Sequence, residues 1–153
     1  MHTQGPGLIE FTRDVSDWAQ GSGLLTLFIQ HTSCSLLIQE NADPTVQQDL
    51  FEYFDRLVPQ TTDPSMGYLK HTYEGPDDMP GHIKSTMMPV SLSIPVSGGE
   101  MMLGVWQGLY AFEHRAGPRK RQVVAHLAQS FRPSTPKIQR SHLSSTQNFA
   151  ARL

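Results

Sequence analysis

A pattern of alternating apolar residues near the middle of the chain constrains the fold more than any other feature of the sequence. Residues 90–96 (VSLSIPV) place an aliphatic side chain at every second position, which is typical of a β-strand with one buried face. The turn sequence SGGE at 97–100 favours a hairpin. Residues 101–113 should then run back as a long strand, broken or bulged around Gly108. Since Pro95 lacks a backbone N–H, we also expect an edge position or a bulge there.

Three further apolar runs predict strands, at Leu24–Gln30, at Ser35–Gln39 and at Gln122–Ala128. Two of these precede a helical region, and the remaining predicted strands follow it. Because the strands are grouped instead of alternating with helices, the order of elements predicts an α+β fold with a mostly antiparallel sheet.

One long helix and one short helix are predicted between the two groups of strands. Asp43 suits the N-cap, Pro44 suits the first helical position, and Pro59 ends the run. A second, short helix is expected over Met79–Ser85, capped by Asp77 or Asp78. The long helix has one apolar face that should pack on the sheet. The residues of that face are Val46, Leu50, Phe54 and Leu57.

The chain has 153 residues, enough for one domain with a substantial core but not for two ordinary domains. After Gln129 the sequence is rich in Ser, Thr, Pro, Gln and basic residues and poor in large apolar ones. Such a composition cannot bury enough apolar surface to order the backbone. We therefore expect a folded domain over residues 1–129 and a flexible tail over residues 130–153.

Composition also excludes several classes of protein. With a net charge of −2 and 17% charged residues, the chain has no general attraction to nucleic acid or to an anionic membrane. The apolar runs are far shorter than the roughly 20 residues that cross a bilayer, and the N-terminus lacks a signal-peptide apolar region. Cys34 is the single cysteine, so an internal disulfide is excluded, as is common in a reducing compartment. We expect a cytoplasmic protein.

The segment Tyr68–Ser85 (YLKHTYEGPDDMPGHIKS) is the richest in potential chemistry. It contains two histidines, three carboxylates and two lysines, spaced by two prolines and two glycines. A backbone shaped in this way can direct several polar side chains toward one point, and binding or catalytic residues are often placed on such loops.

Three segments together resemble the YjbQ-like family, whose members are described as secondary thiamine-phosphate synthases. They are HTSCSLLIQENADPTVQQDL from His31, HTYEGPDDMPGHIKS from His71 and SLSIPVSGGEMMLGVWQGLYAFEHR from Ser91, and the similarity extends from Gly7 to Gln129. The resemblance implies a compact α+β domain that assembles as a homotrimer. It also implies a histidine cluster that binds a metal in some members.

The chain departs from the family pattern at three places. It begins close to the second strand of the family, so an N-terminal strand is expected to be missing or shortened, which would leave an open sheet edge. Val105 occupies a position before Trp106 that is usually a smaller residue. The segment 130–153 has no counterpart in the family core.

The resemblance points to His31, His71 and His82 as metal ligands, since each lies in a family motif. Three neutral imidazoles would suit zinc or a similar divalent ion with one position open. Their irregular spacing lacks the signature of a zinc finger or of a HExxH helix, so an ordinary structural role remains the alternative. His114 and His126 are expected to be structural.

Further site candidates fall into two groups. The expected catalytic residues are Asp78, Lys84 and Glu113. Expected substrate-binding residues are Thr32, Ser33, Asn41, Asp43, Glu74, Trp106, Gln107 and Arg115. Lys84 and Arg115 would neutralise phosphate, Asp78 and Glu74 would orient a histidine or hold Mg²⁺, and Trp106 with Gln107 would form the wall for a flat heterocycle. The alternatives are helix caps for the aspartates, solvated surface cations, and a core role for the tryptophan.

By resemblance, the expected reaction joins hydroxymethylpyrimidine diphosphate to a thiazole phosphate and releases diphosphate. The expected substrate is therefore a small phosphorylated heterocycle. A divalent ion and cationic side chains would stabilise the leaving diphosphate. Two alternatives stay open, a metal- or ligand-binding trimer without turnover and a metal-dependent hydrolase.

Overall fold

Strands and helices account for most of residues 1–129, the part of the chain that the computed structural model describes. The predicted tail, residues 130–153, lies outside the described residues. The strands are β1 (His2–Thr3), β2 (Gly7–Glu10), β3 (Gly23–Ile29), β4 (Cys34–Glu40), β5 (Ser91–Ser97), β6 (Glu100–Met101), β7 (Gln107–Glu113), β8 (Arg119–Lys120) and β9 (Val123–Gln129). The α-helices are α1 (Thr12–Trp18), α2 (Pro44–Leu57) and α3 (Asp78–Met87), and Pro64–Met66 forms a 3-10 turn.

Two antiparallel sheets face each other across the core. One has the strand order β2-β7-β4 and the other the order β6-β5-β3-β9, while β1 and β8 form a separate two-stranded ribbon. Every strand pairing within the described residues is antiparallel. The predicted α+β class and the mostly antiparallel sheet are confirmed.

The core lies between the two sheets because alternate side chains of each strand point inward. Leu25, Leu27 and Ile29 of β3 meet Leu109 and Ala111 of β7, and each is at most 1% exposed. The intervening residues of β7 point to the opposite face of the three-stranded sheet, where α2 and α3 lie. This alternation gives β7 one apolar face and one face that can carry Tyr110, Phe112 and the residue after the strand, His114.

Helix α2 packs on that second face. The Asp43 side chain accepts a hydrogen bond from the Thr45 N–H, as expected for an N-cap, and Pro44 occupies the first turn. The Phe54 ring meets Phe112 edge-on, with centroids 5.9 Å apart. The predicted long helix is therefore confirmed, although its apolar face is only half-buried.

The hairpin between β5 and β6 is also confirmed, with Gly98 and Gly99 both at positive φ, as a type I′ turn requires. The expected long strand 101–113 is wrong. Its first part, β6, ends at Met101, residues 102–106 form a loop, and β7 belongs to the other sheet. The break covers residues 102–106 because a turn at Gly104, closed by its carbonyl and the Gln107 N–H, carries the chain between sheets.

The N-terminal elements β1, β2 and α1 were not predicted. Strand β2 is only four residues long and pairs with β7, and α1 buries only Val15, so neither has a strong hydrophobic period. The expectation of a shortened N-terminal region stays a prediction. No helix among residues 1–129 has both the length and the apolar character needed to cross a membrane.

Candidate functional site

The candidate site lies where the loop after the 3-10 turn enters α3. His71 is on the loop, Asp78 is the first residue of α3, and His82 follows one helical turn later, so Asp78 and His82 share one face of the helix. Asp78 is 1% exposed, whereas both histidines are partly exposed. The buried carboxylate thus forms the floor of a site whose imidazoles reach toward solvent.

Three potential ligand atoms converge in this cluster. His71 Nε2 lies 2.7 Å from Asp78 Oδ2, and His82 Nε2 lies 3.5 Å from the same oxygen. Ligand atoms of the three residues all lie within 4.8 Å of one another. Two imidazole nitrogens and a carboxylate oxygen form a donor set that suits zinc or a related divalent ion.

The tautomer of His82 is set by the neighbouring strand connection. Its Nδ1 lies 3.1 Å from the Thr32 carbonyl oxygen, which can only accept, so Nδ1 carries a proton. In the neutral ring Nε2 then presents a lone pair toward Asp78 Oδ2. Two acceptor atoms facing each other repel unless a proton or a cation lies between them, so this geometry favours a bound cation or a protonated His82.

Arg115 follows β7 and holds the acidic end of α3. Its guanidinium donates to Asp78 Oδ1 through Nη1, to Asp77 Oδ2 through Nε at 3.1 Å, and to the Glu74 carbonyl through Nη2 at 2.8 Å. The predicted phosphate-binding cation is therefore engaged with two carboxylates. Glu74 contributes its backbone carbonyl here, while its side chain is exposed.

Asp77 stands at the N-cap position of α3 but makes no capping hydrogen bond, contrary to the expectation. Its carboxylate instead accepts from the Ala116 N–H at 2.6 Å and from Arg115. Burial alone would raise the pKa of Asp77, but these hydrogen bonds and the guanidinium outweigh it and hold the pKa below its usual range.

Lys84, the other predicted phosphate-binding cation, is buried and donates to Asp55 Oδ1 of α2 at 3.0 Å. Nearby, His114 is buried with Nε2 2.9 Å from Ser35 Oγ, and its Nδ1 has no partner among the described residues. Burial, with the charge of Lys84, lowers the pKa of His114 to about 3. The imidazole is therefore neutral at ordinary pH, in agreement with a structural role.

Glu113 was a predicted catalytic residue, but it is fully buried within a polar network. Arg121 donates to both of its oxygens, Thr3 Oγ1 donates to Oε2 at 2.8 Å, and Arg121 also donates to Ser33 Oγ. Burial would raise the pKa of Glu113, but Arg121 and the other donors lower it below its usual range. Its acceptor positions hold the β1–β8 ribbon against β7, so a catalytic role is not supported.

His31 is not part of the cluster. The third potential ligand, beside His71 and His82, is Asp78. The Nε2 atom of His31 accepts a hydrogen bond from the Gln122 N–H at 2.8 Å, so its lone pair is already used. Burial, followed by the charge of Arg121, lowers the pKa of His31 and favours the neutral ring. Cys34 is buried, and burial raises the pKa of its thiol to about 12, as expected for a residue that packs.

The remaining candidates lie at the other end of β7. Asn41, Trp106 and Gln107 meet there, through hydrogen bonds from the Asn41 N–H to the Trp106 carbonyl and from Asn41 Nδ2 to the Gln107 carbonyl. Trp106 is 63% exposed, so it is neither core nor the wall of an enclosed pocket. At ~3.3 Å per residue, β7 separates this end from the Asp78 end by roughly 20 Å. The predicted site is therefore divided between two places in one chain.

A cleft adjoins the His82 side of the cluster, with a volume of about 660 Å³. The end of β3, the following corner with His31 and Thr32, and the C-terminal half of α3 form its walls. Several of the residues that organise the site were not predicted, among them Ser35, Asp55 and the Thr32 carbonyl. A backbone carbonyl has no sequence signal, and Asp55 resembles any exposed helical acid.

Comparisons with known proteins agree with the sequence resemblance. The profile of the family described as UPF0047 protein YjbQ-like matches residues 1–130. A UPF0047 protein of Synechocystis is 44% identical over 130 residues, covering 82% of this chain and 86% of its own. The UPF0047 protein YjbQ of Escherichia coli is 48% identical over 105 residues, covering 69% and 72%.

Solved structures show the same fold. A conserved hypothetical protein from Thermus thermophilus superposes with a TM-score of 0.69 at 35% identity, covering 83% of this chain and 98% of that one. A hypothetical protein from Aeropyrum pernix gives a TM-score of 0.72 at 26% identity, covering 85% and 96%. The chain belongs to the UPF0047, YjbQ-like family.

Proposed function

From this family membership and the geometry of the cluster, we propose that the protein holds a divalent cation with His71, Asp78 and His82 and acts with it on a small phosphorylated molecule. The observation that carries the proposal is the approach of two imidazole nitrogens to one buried carboxylate oxygen, at 2.7 and 3.5 Å. Within residues 1–129, no other set of three or more histidine, cysteine or acidic side chains brings its ligand atoms together in this way.

The surrounding residues have distinct roles in this proposal. Arg115 fixes the Asp78 carboxylate by binding its second oxygen, and the Thr32 carbonyl orients His82 and, in the neutral ring, leaves the lone pair on Nε2. When bound, a divalent ion would neutralise charge on a leaving diphosphate or activate water. Both imidazoles are partly exposed, so a substrate can reach the site without a rearrangement of the buried carboxylate.

For the reaction, we favour the transfer implied by the resemblance, in which hydroxymethylpyrimidine diphosphate and a thiazole phosphate form thiamine phosphate and diphosphate. The cluster supplies the place for a cation beside the leaving diphosphate. Lys84 and Arg115 are engaged with carboxylates, so the bound ion itself would be the main positive charge on the phosphates.

Metal-dependent hydrolysis of a phosphorylated compound is the second candidate. It is favoured by the position of Trp106 and Gln107 at the far end of β7, because a transferase needs a second substrate subsite and a hydrolase does not. The same three ligands would serve either reaction.

A single experiment separates these possibilities. The protein is loaded with Zn²⁺, Mn²⁺ or Mg²⁺, freed of excess metal, and incubated with the pyrimidine diphosphate in the presence and absence of the thiazole phosphate. Transfer predicts thiamine phosphate only when both are present, whereas hydrolysis predicts release of phosphate or diphosphate from either compound alone. Bound metal without product would support a binding protein without turnover, and protein that binds none of the three ions would overturn the proposal.

We extend the proposal to assembly with copies of the same chain, as the resemblance implies for a homotrimer. The outer face of the four-stranded sheet supports it, because Leu24, Phe28 and Val124 are 41–47% exposed there. A second copy could also bring Trp106 near the Asp78 cluster of the first. Light scattering coupled to size-exclusion chromatography tests this, and a monomer at micromolar concentration would contradict it.

A further inference from the structure

The cleft beside His82 differs from the cation cluster in its chemistry. No Asp, Glu, Lys or Arg is among the described residues that line it. Phe28, Met88 and Val90 supply apolar lining, and His31 and His82 also line the cleft. A phosphate group would find no charged partner in this lining, whereas an uncharged ring would find apolar surface in a space of ordinary ligand-pocket size.

The tautomer of the His31 ring follows from its hydrogen bond with Gln122. Since the Gln122 N–H donates to Nε2 at 2.8 Å, Nε2 must be unprotonated, and the proton of the neutral ring is on Nδ1. Nδ1–H is a donor and cannot bind a metal in this tautomer. Since His31 lines the cleft, the donor that its neutral ring has left for a ligand there is Nδ1–H, which carries no formal charge.

We infer that this cleft is a subsite for an uncharged, largely apolar ring that carries a hydrogen-bond acceptor, and that His31 Nδ1–H recognises the acceptor. The inference deepens the proposed function, since His82 borders both the cleft and the cation cluster. A ligand with a phosphorylated arm at the cation and a neutral ring in the cleft would contact both. His31 would then determine specificity for the ring and would not hold the ion.

Two substitutions separate the two nitrogens of His31. The side-chain amide of His31→Asn can place a donor near the position of Nδ1, whereas that of His31→Gln reaches the position of Nε2. The Asn variant should therefore keep the contact with the ligand, and the Gln variant should keep only the contact with Gln122. Because both replacements are polar and His31 is only partly buried, the fold should tolerate either one.

The probes are pyrimidin-5-ylmethanol and benzyl alcohol, which have nearly the same shape but differ in ring acceptors. Binding is measured by ligand-observed NMR titration, and bound Zn²⁺ is measured separately by elemental analysis. We expect the wild type and His31→Asn to prefer the pyrimidine about fivefold to tenfold, as one net hydrogen bond allows. His31→Gln should lose this preference while all three proteins bind the same amount of Zn²⁺. Val90→Ser, at a lining residue not named in the proposed assembly face, should weaken both probes.

Three results would overturn the inference: equal binding of the two probes by the wild type, no binding of either, or a loss of Zn²⁺ in His31→Gln, which would make His31 a metal ligand. The probe titration is also carried out without added metal. A wild type that binds no cation but retains the pyrimidine preference would therefore refute the proposed function and leave the ring subsite standing.

Discussion

The two ends of strand β7 carry predicted site residues of very different character. After Glu113, the chain enters a buried region in which Arg115 reaches Asp77, Asp78 and the Glu74 carbonyl, which lie 37 to 41 residues away in sequence. Before Gln107, the chain is an exposed loop in which the Gln107 side chain accepts from the Gly104 N–H three residues earlier. One end is organised by several long-range side-chain contacts, whereas the other combines this local contact with two hydrogen bonds from Asn41 to backbone carbonyls.

This difference indicates where a rigid site can form. Side chains held by several distant partners keep one geometry, which a cation site requires within a few tenths of an ångström. The His71–Asp78–His82 cluster has such support through Arg115 and Thr32, and we therefore call this the supported end of β7 and the Trp106 end the exposed end. The exposed Trp106 has no comparable side-chain support among the described residues, so any role for it would depend on a partner that covers it.

The largest expected effect is that of Asp78→Asn at the supported end. It removes the shared ligand and leaves the buried Arg115 with one carboxylate partner, a change that typically costs about 3 kcal/mol or more in free energy of unfolding. Urea denaturation at fixed protein concentration measures this loss, and elemental analysis should show that bound Zn²⁺ disappears.

Asp77→Asn is the matched control, because Asp77 also binds Arg115 but is not part of the converging group. It should lower stability by a smaller amount and leave the bound Zn²⁺ in place. Equal loss of Zn²⁺ in both variants would show that Arg115, and not the Asp78 oxygen, determines cation binding.

The second prediction concerns the two imidazoles. His71→Gln and His82→Gln should each reduce the Zn²⁺ content strongly while changing the free energy of unfolding by only about 1 kcal/mol or less, because both residues are partly exposed. His126→Gln, on the exposed outer face of β9, serves as the control and should retain the metal. If both cluster variants bound as much metal as the wild type, neither histidine would be a ligand of the cation.

The sequence predicted local elements better than the partners of individual side chains. The cap at Asp43, the period of α2 and the glycine turn after β5 are local signals, and each was recovered. The sequence did not reveal that Lys84, Arg115 and Glu113 are paired with other side chains of the fold, because a cation or an acid in a motif looks the same whether it binds a ligand or a buried partner. Lys84 is paired with Asp55 and Glu113 with Arg121, and these partners are close together only in the folded chain.

The third prediction tests the buried character of His114 at the supported end. Its pKa is lowered to about 3 from 6.5, so above pH 6.5 neither the folded nor the unfolded chain binds the proton. Below pH 6.5 the unfolded chain binds it and the folded chain does not, so stability falls as the pH falls, by about 2 kcal/mol at pH 5. His114→Phe should lose this part of the pH dependence in urea denaturation between pH 7.5 and 5. An unchanged slope would mean that His114 reaches water in the folded state.

The smallest effect is expected at the exposed end, for Trp106→Ala. Because Trp106 is 63% exposed, its removal should change the free energy of unfolding by no more than about 0.5 kcal/mol and leave Zn²⁺ binding unaltered. In an isolated chain it should also leave activity unaltered, since roughly 20 Å of β7 separates it from the cluster. Activity and oligomeric state are therefore measured on the same samples by turnover assay and light scattering. Lost activity with Zn²⁺ retained, in an assembled protein, would show that a neighbouring copy brings Trp106 to the site, and the contrast between the two ends would then hold only within one chain.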